Sequence, residues 1–592
     1  MHFTLVFICL TLVISCKEDA FKTETKVEIK KPNIILIMAD DQGWGDLSSS
    51  GNADINTSNI DAIAINGTSF ENFYVQPVCS PTRAELLTGR HSANLGVYRT
   101  SAGGERMNLG ETTIAEVFKK AGYKTAAYGK WHNGMQPPYH PNARGFDDYY
   151  GFTSGHWGNY FSPMLEHNGK IVKGKGFLID DLADHGLEFI SKHKEHPFFL
   201  YLPLNTPHSP MQVPDEYWER FKDKELRLKY EGQETTTADH TKAALAMVEN
   251  IDYNVGRITE KLRELGLEEN TILVYMSDNG PNGWRWNGGM RGRKGSTDEG
   301  GVRSPFYIQW KGSIPEGKTV SEIGSAIDIL PTLAALADVE TSTEKPLDGK
   351  NMAPLLLGKK TSWENRYVFN HWNGKTSVRS QNFRLDSEDR LYDITKDRGQ
   401  TTDVSGQYPK VLDSLKGSKQ IWLADIRPTT NDTDNRPFTL GHPDYDYTQI
   451  PARDGIPHGG IERSNRHPNN TFFTNWKSEK DSITWDVEVL ANGEFEVELY
   501  YTCKPENAGL AIQLSHGDSK LITRITEAHN PPLTGMENDR DPRIESYVKD
   551  FKPKILGNIR LRKGRNPLTI KALRIPGNGG IDVRLLMFRR IN

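Results

Sequence analysis

The chain reads as an α/β protein: an open sheet flanked by helices, followed by a small C-terminal all-β module of sandwich type. Three observations predict this. Short, branched apolar runs alternate with helical periodicities through the first part of the chain. The stretch around 425–470 is rich in Pro, Asn, Asp and His and has no apolar period, which places a linker or domain boundary there. Beyond it, strand-like runs follow one another with turn residues between them and no helix.

Taken in order, residues 5–14 form an apolar run of signal-peptide length, too short to span a bilayer. The run ends Val13-Ile14-Ser15-Cys16 and is followed by Lys17-Glu18-Asp19. This pattern resembles a bacterial lipobox, which implies a signal peptide over 1–16 and a lipid anchor on Cys16. The expected location is then periplasmic or on the outer membrane or cell surface; a plain signal peptide is the alternative. Residues 17–31 are charged and read as a tether. Residues 33–38 are a continuous apolar run, as expected of a strand covered on both faces. Helices are expected at 112–121, 178–193, 238–265 and 327–337, and strands at 124–128, 198–204, 271–276 and 302–310. Together they make a catalytic unit over 32–425, with a smaller subdomain from about 365. The module over 426–592 holds strands at 483–490, 495–502, 510–514, 555–561, 568–573 and 581–588.

Composition bounds the function. Hydrophobic residues make up 36% and charged residues 25% of 592, which is globular rather than disordered. A net charge of -4 gives no field for nucleic acid, so a polyanionic ligand must be met by a local basic pocket. Of four cysteines, Cys9 falls in the signal segment and Cys16 at the anchor, leaving Cys79 and Cys503. An exported protein could pair these two as a disulfide.

Chemistry gathers at strand ends, where open α/β sheets bind ligands. The run at 33–38 leads into Asp40-Asp41, and the run at 271–276 into Asp278-Asn279. Three carboxylates and an amide offer hard oxygen ligands, which select calcium or magnesium over zinc. Helix capping is the alternative for each pair. A second cluster is Cys79-Ser80-Pro81-Thr82-Arg83, followed by Ala84-Glu85-Leu86-Leu87-Thr88-Gly89-Arg90. Pro81 is expected to open a helix, which puts Cys79 just before an anion-stabilising N-terminus with Arg83 one turn in.

This second cluster closely resembles the signature of the type I sulfatases, in the alkaline phosphatase superfamily, from about residue 32 to about 420. The resemblance implies an alkaline-phosphatase-like sheet, a calcium ion, and oxidation of Cys79 to formylglycine by a formylglycine-generating or anaerobic sulfatase-maturating enzyme. In that family the hydrated aldehyde attacks sulfur, the alcohol leaves, and the resulting sulfated diol collapses to release sulfate. The family's positions fall on Asp40, Asp41, Asp278 and Asn279 for calcium, with the side chain at Cys79 also near the ion. They fall on Arg83 for holding the formylglycine, on Lys130 and Lys294 for the sulfate, on His132 as base, and on His208 as the group that protonates the leaving alcohol. Lys130 and His132, two apart after a short strand, can face one pocket.

Trp284, Trp286, Arg291 and Arg293 lie between a calcium position and a sulfate position, and are expected at the pocket mouth, where Trp stacks on sugars and Arg pairs with anions. The expected substrate is a sulfated polysaccharide or oligosaccharide. The rival expectations are a phosphate or phosphonate ester hydrolase of the same superfamily, or a non-catalytic glycan-binding surface lipoprotein.

Overall fold

The computed structural model describes residues 31–359, 363–426, 434–542 and 547–592. The expected signal peptide, Cys16 and all of the tether except Lys31 lie outside the described residues.

Strand β1 (Asn33–Ala39) is buried along its whole length. Its side chains alternate between two cores: Ile34, Leu36 and Met38 point into one, and Ile35, Ile37 and Ala39 into the other. Such a strand must be covered on both faces, which is why its sequence is continuously apolar. Helix α1 (Cys79–Thr88) packs into the first core. The long helix α2 (Ala238–Glu264) and the helix Leu178–Lys192 pack into the second.

β1 pairs in parallel with β3 (Phe198–Pro203) on one side and with β4 (Thr271–Ser277) on the other, and β3 pairs in parallel with β2 (Lys124–Lys130). These four are the centre of a ten-stranded sheet. Asp148–Phe152, Met164–His167 and Lys170–Lys173 extend it beyond β2; Phe306–Gln309, Thr68–Phe70 and Lys318–Val320 extend it beyond β4. The architecture is the expected α/β one, and its consequence for function is direct: four neighbouring strands end on the same edge.

A four-stranded sheet (Val368–Trp372, Lys375–Arg379, Phe383–Leu385, Leu391–Asp393) and the helix Pro409–Ile426 follow as a subdomain. The C-terminal region packs two six-stranded sheets around a core that includes Trp485, Leu499, Ile570 and Phe588. In Ser482–Val489 buried residues alternate with more exposed ones, as a sandwich strand requires.

Three expectations need correction. The strand expected over 302–310 is confined to Phe306–Gln309, because Pro305 lacks the N–H a ladder needs and Glu299–Val302 form a helical turn. The linker expected around 425–470 contains the strands Phe438–Leu440 and Tyr447–Pro451, which pair with Ser482–Val489 and Ile581–Arg590. They are too short, and too interrupted by Pro and Asp, to show a period. Cys79 is the first residue of its helix rather than the one before it.

Candidate active site

The loops after the four central strands carry the chemistry. β1 leads into Asp40 and Asp41, β2 into His132, β3 into His208, and β4 into Asp278 and Asn279. α1 brings Cys79 to the same edge, with Arg83 one turn along the helix. Asp41 and His132 both adopt φ of 66°, a left-handed conformation uncommon outside glycine. Such conformations cluster where function fixes the backbone.

The Cys79 thiol donates to Asp40 Oδ1 at 3.2 Å, with Asp41 Oδ1 at 3.8 Å. Lys130 Nζ donates to Asp40 Oδ2 at 2.6 Å, and Lys294 Nζ to Asp41 Oδ2 at 2.8 Å. His208 Nε2 lies 3.5 Å from Asp41 Oδ2, while its Nδ1 donates to the Ser209 carbonyl at 2.6 Å. Arg83 forks onto Asp278 Oδ2 through Nε and Nη2, at 3.1 and 2.7 Å, and donates to the Lys130 carbonyl at 2.9 Å. The Asp41 N–H donates to Asp278 Oδ1 at 3.1 Å, and Asn279 Nδ2 to Asp41 Oδ1 at 2.8 Å. Every predicted catalytic and metal residue except His132 is thus tied into one network. His132 sits beside it: its Nε2 pairs with the Thr100 carbonyl at 2.8 Å, and its buried Nδ1 has no hydrogen-bond partner.

Burial gives the site a floor and a mouth. The side chains of Arg83, Lys130 and Asp278 are inaccessible, whereas Lys294 keeps 20% and His208 13% of its side-chain surface. A ligand therefore meets Lys294 and His208 first.

The charges are crowded. Burial and the facing Asp40 push Asp278 up to about 6 despite its pairing with Arg83. Burial, reinforced by Asp278 and Asp40, raises the Cys79 thiol well above its usual range against the pull of Lys130 and Lys294. Burial, then the Lys294 charge, lowers His208 to about 3. Asp40, Asp41, Cys79 and His208 bring ligand atoms within 4.8 Å of one another, and the buried Asn279 Oδ1 lacks any donor. Converging carboxylate oxygens and an orphaned amide oxygen fit a hard divalent cation.

The four expected mouth residues divide. Trp284 packs on Tyr230 with ring centroids 4.8 Å apart, and the Arg293 guanidinium lies 5.0 Å over the Trp284 ring. Arg291 is committed elsewhere, bonded to Asp298 at 2.7 Å and to Asp386 at 3.2 Å, where it joins the subdomain to the catalytic sheet. Trp286 packs against Gly45: a Cβ there would meet the Trp286 carbonyl at 2.8 Å. Arg285, not singled out from the sequence, is 4% exposed, pairs with Asp46 at 2.6 Å and donates to the Asp41 carbonyl at 3.0 Å. Asn287 accepts from the Gly45 N–H at 2.8 Å. Much of this segment therefore braces the loop that carries Asp40 and Asp41. Its only sequence signal is an arginine next to the candidate site.

Cys79 and Cys503 are both free, so the alternative of a disulfide between them is excluded.

Fold and site together define an alkaline-phosphatase-like α/β protein with a charged centre at the carboxyl edge of its sheet. A family model described as Sulfatase matches residues 32–339. The chain belongs to the sulfatase family. It is 32% identical over 361 residues to human N-acetylgalactosamine-6-sulfatase, covering 55% of this chain and 66% of that protein's length. It is also 32% identical to the uncharacterized sulfatase YdeN of Escherichia coli strain K12, over 60% of this chain and 72% of that one. Among solved structures, Ps i-CgsB in complex with k-i-k-neocarrahexaose superposes with a TM-score of 0.60 at 35% identity, covering 66% of this chain and 93% of that chain.

Proposed function

We propose that this protein hydrolyses a sulfate ester on a carbohydrate, with a formylglycine derived from Cys79 as nucleophile and a calcium ion in the carboxylate cluster. The observation that carries the reading is the placement of the Cys79 side chain between Asp40 and Asp41, ringed by Lys130, Lys294 and His208. An ordinary catalytic cysteine needs a lowered pKa, yet this thiol is raised. A modified side chain accounts for a nucleophile's position without a thiolate.

Asp40, Asp41, Asp278 and Asn279 would hold the cation, whose charge neutralises sulfate oxygens and lowers the pKa of a bound hydroxyl. The hydrated aldehyde would supply an oxygen nucleophile from position 79. The remaining work belongs to this chain's other side chains. Lys130 from the floor and Lys294 from the mouth bind sulfate oxygens where negative charge develops. Arg83 holds the first turn of α1 against Asp278, fixing the direction of the side chain at 79. His208 faces the mouth. A bound sulfate adds negative charge beside it and favours the imidazolium form, which can then protonate the departing alcohol. His132, its Nε2–H given to the Thr100 carbonyl, keeps the Nδ1 lone pair available to take the proton from the hydrated aldehyde.

A sulfated glycan is supported by two relatives: an N-acetylgalactosamine-6-sulfatase, and a neighbour crystallised with a neocarrahexaose. Arg293, its guanidinium stacked over the Trp284 ring, pairs a cation with an aromatic face, a combination suited to an anionic sugar. Export and lipidation at Cys16, after the apolar run at 5–14, belong to the same proposal. The test is desulfation of a panel of sulfated oligosaccharides by protein co-produced with a maturation enzyme. Release of sulfate from at least one sugar is expected; cleavage of phosphate esters alone would overturn the reading.

A further inference from the structure

The base proposed above is reached by a chain of contacts that begins in the C-terminal module. The Thr100 carbonyl, which accepts the Nε2–H of His132 at 2.8 Å, also accepts Asn469 Nδ2–H at 2.9 Å. Asn469 lies in the segment between the short strands Glu462–Arg463 and Phe473–Thr474 of the sandwich, more than three hundred residues from His132 in sequence. Its amide is itself held. Arg453, 2% exposed, donates from Nη1 to Asn469 Oδ1 at 3.0 Å and to Ser154 Oγ at 3.2 Å. Through Nη2 the same guanidinium pairs with Glu105 at 2.7 Å. The Glu105 carbonyl in turn accepts from Asn133 Nδ2 at 3.2 Å, and Asn133 also donates to the Ser80 carbonyl at 3.1 Å. A continuous set of hydrogen bonds therefore links the module to the residues following His132 and Cys79.

The imidazole is confined on a further side. Gly155 approaches so closely that a Cβ on it would lie 2.1 Å from His132 Nε2. With φ of 66° at His132, the backbone has little room to redirect the ring. What keeps the Nε2–H bond in place is the position of the Thr100 carbonyl: Ser80 Oγ holds the preceding Arg99 carbonyl at 3.0 Å, and the donor to the Thr100 carbonyl itself, besides His132, is Asn469 of the module.

We propose that Asn469 is a positioning residue for His132: by anchoring the Thr100 carbonyl it fixes the tautomer and the direction of the base. The module then completes the active site rather than only accompanying it. This inference rests on the assignment of His132 as base. It goes further in giving the C-terminal module a part in turnover, and a hydrogen bond through which that part is played. A carbonyl held by two donors is fixed in direction as well as place, which is what a base needs to present one nitrogen reproducibly.

A double-mutant cycle tests it on full-length, matured protein. Asn469→Asp keeps the oxygen that accepts from Arg453 but removes the N–H given to Thr100. It is expected to lower kcat on a sulfated oligosaccharide by about ten- to a hundredfold with KM nearly unchanged. Its thermal midpoint should stay close to that of the parent. His132→Ala should lose more, and the double variant should be no slower than His132→Ala alone, since Asn469 acts through that ring. Asn469→Ala, assayed below its own midpoint, provides a second cycle should the aspartate disturb folding. Wild-type kcat in Asn469→Asp alongside a large loss in His132→Ala would overturn the positioning role and leave the proposed base intact, as would fully additive losses. Retention of activity by His132→Ala would instead overturn the base itself.

Discussion

At the scale of single residues, the charge balance around position 79 decides what each group can do. Lys294 and His208 stand at the open side and meet an anion first, and Lys130 waits at the floor. Lys294→Ala and His208→Ala are each expected to reduce kcat about a hundred- to a thousandfold, as loss of one preorganised group does elsewhere. Steady-state kinetics on a sulfated oligosaccharide check this, and near-wild-type turnover in either variant would contradict it. Removal of the cation with a calcium-selective chelator should abolish activity and lower the thermal midpoint, with recovery on adding calcium but not zinc. All-oxygen ligands and the orphaned Asn279 Oδ1 underlie that expectation. Asp40, Asp41, Asp278 and Asn279 were legible as hard oxygen ligands gathered at two strand ends, whereas the lysines and histidines were legible only through the resemblance that the Cys79–Arg90 pattern carries. Arg285 was not. A buried arginine that supports the Asp41 carbonyl looks in sequence like any loop arginine, and only the fold brings it to Asp46.

At the scale of elements, the central strands were legible because burial on both faces forces continuous apolar sequence. The loops were not, since contacts distant in sequence fix them. Glu299 illustrates this. It sits fully buried in a helical turn that runs into the start of the strand expected over 302–310, accepts from Tyr74 at 2.6 Å, and pairs with Arg384 at 2.9 Å and Arg303 at 3.3 Å. Arg384 belongs to the strand Phe383–Leu385, so the pair holds the four-stranded subdomain onto the catalytic sheet. Burial raises the Glu299 carboxyl, but Arg384, Arg379 and Arg303 outweigh it and bring it down to about 2 from an ordinary 4.5. A carboxyl whose folded value is depressed stabilises fully above its unfolded value and loses that contribution as pH falls through the folded one. Glu299→Gln should therefore destabilise by about 3–5 kcal/mol at pH 7. The gap to wild type should shrink as pH drops from about 4.5 towards 2. Chemical denaturation across this range checks both; a gap independent of pH would contradict the assignment.

At the scale of the whole molecule, the module packs on the catalytic unit through buried ionic and backbone contacts. Arg106 pairs with Asp434 at 3.2 Å and donates to the carbonyls of Arg436 and Pro437, and Arg453 pairs with Glu105. Near the His208 loop, Asp539 accepts from the Met211 N–H at 3.1 Å and Arg540 N–H donates to the Met211 carbonyl at 3.0 Å. Composition suggested a linker over 425–470, because polar contacts made with another domain read locally as loop. The two units are expected to unfold together, with tryptophan fluorescence and far-UV circular dichroism giving coincident transitions. Two separated transitions would contradict this. Over the whole molecule, the sheet gathers the loops, α1 delivers the side chain at 79, and the module holds the loops at Thr100 and Met211. All of that geometry converges on one atom group, so its identity is the most direct thing to measure. Mass spectrometry of the peptide containing residue 79, from protein made alongside a maturation enzyme, should show an aldehyde in place of the thiol, and replacement of Cys79 by Ala should abolish sulfate release. An unmodified thiol in protein that still releases sulfate would contradict the account.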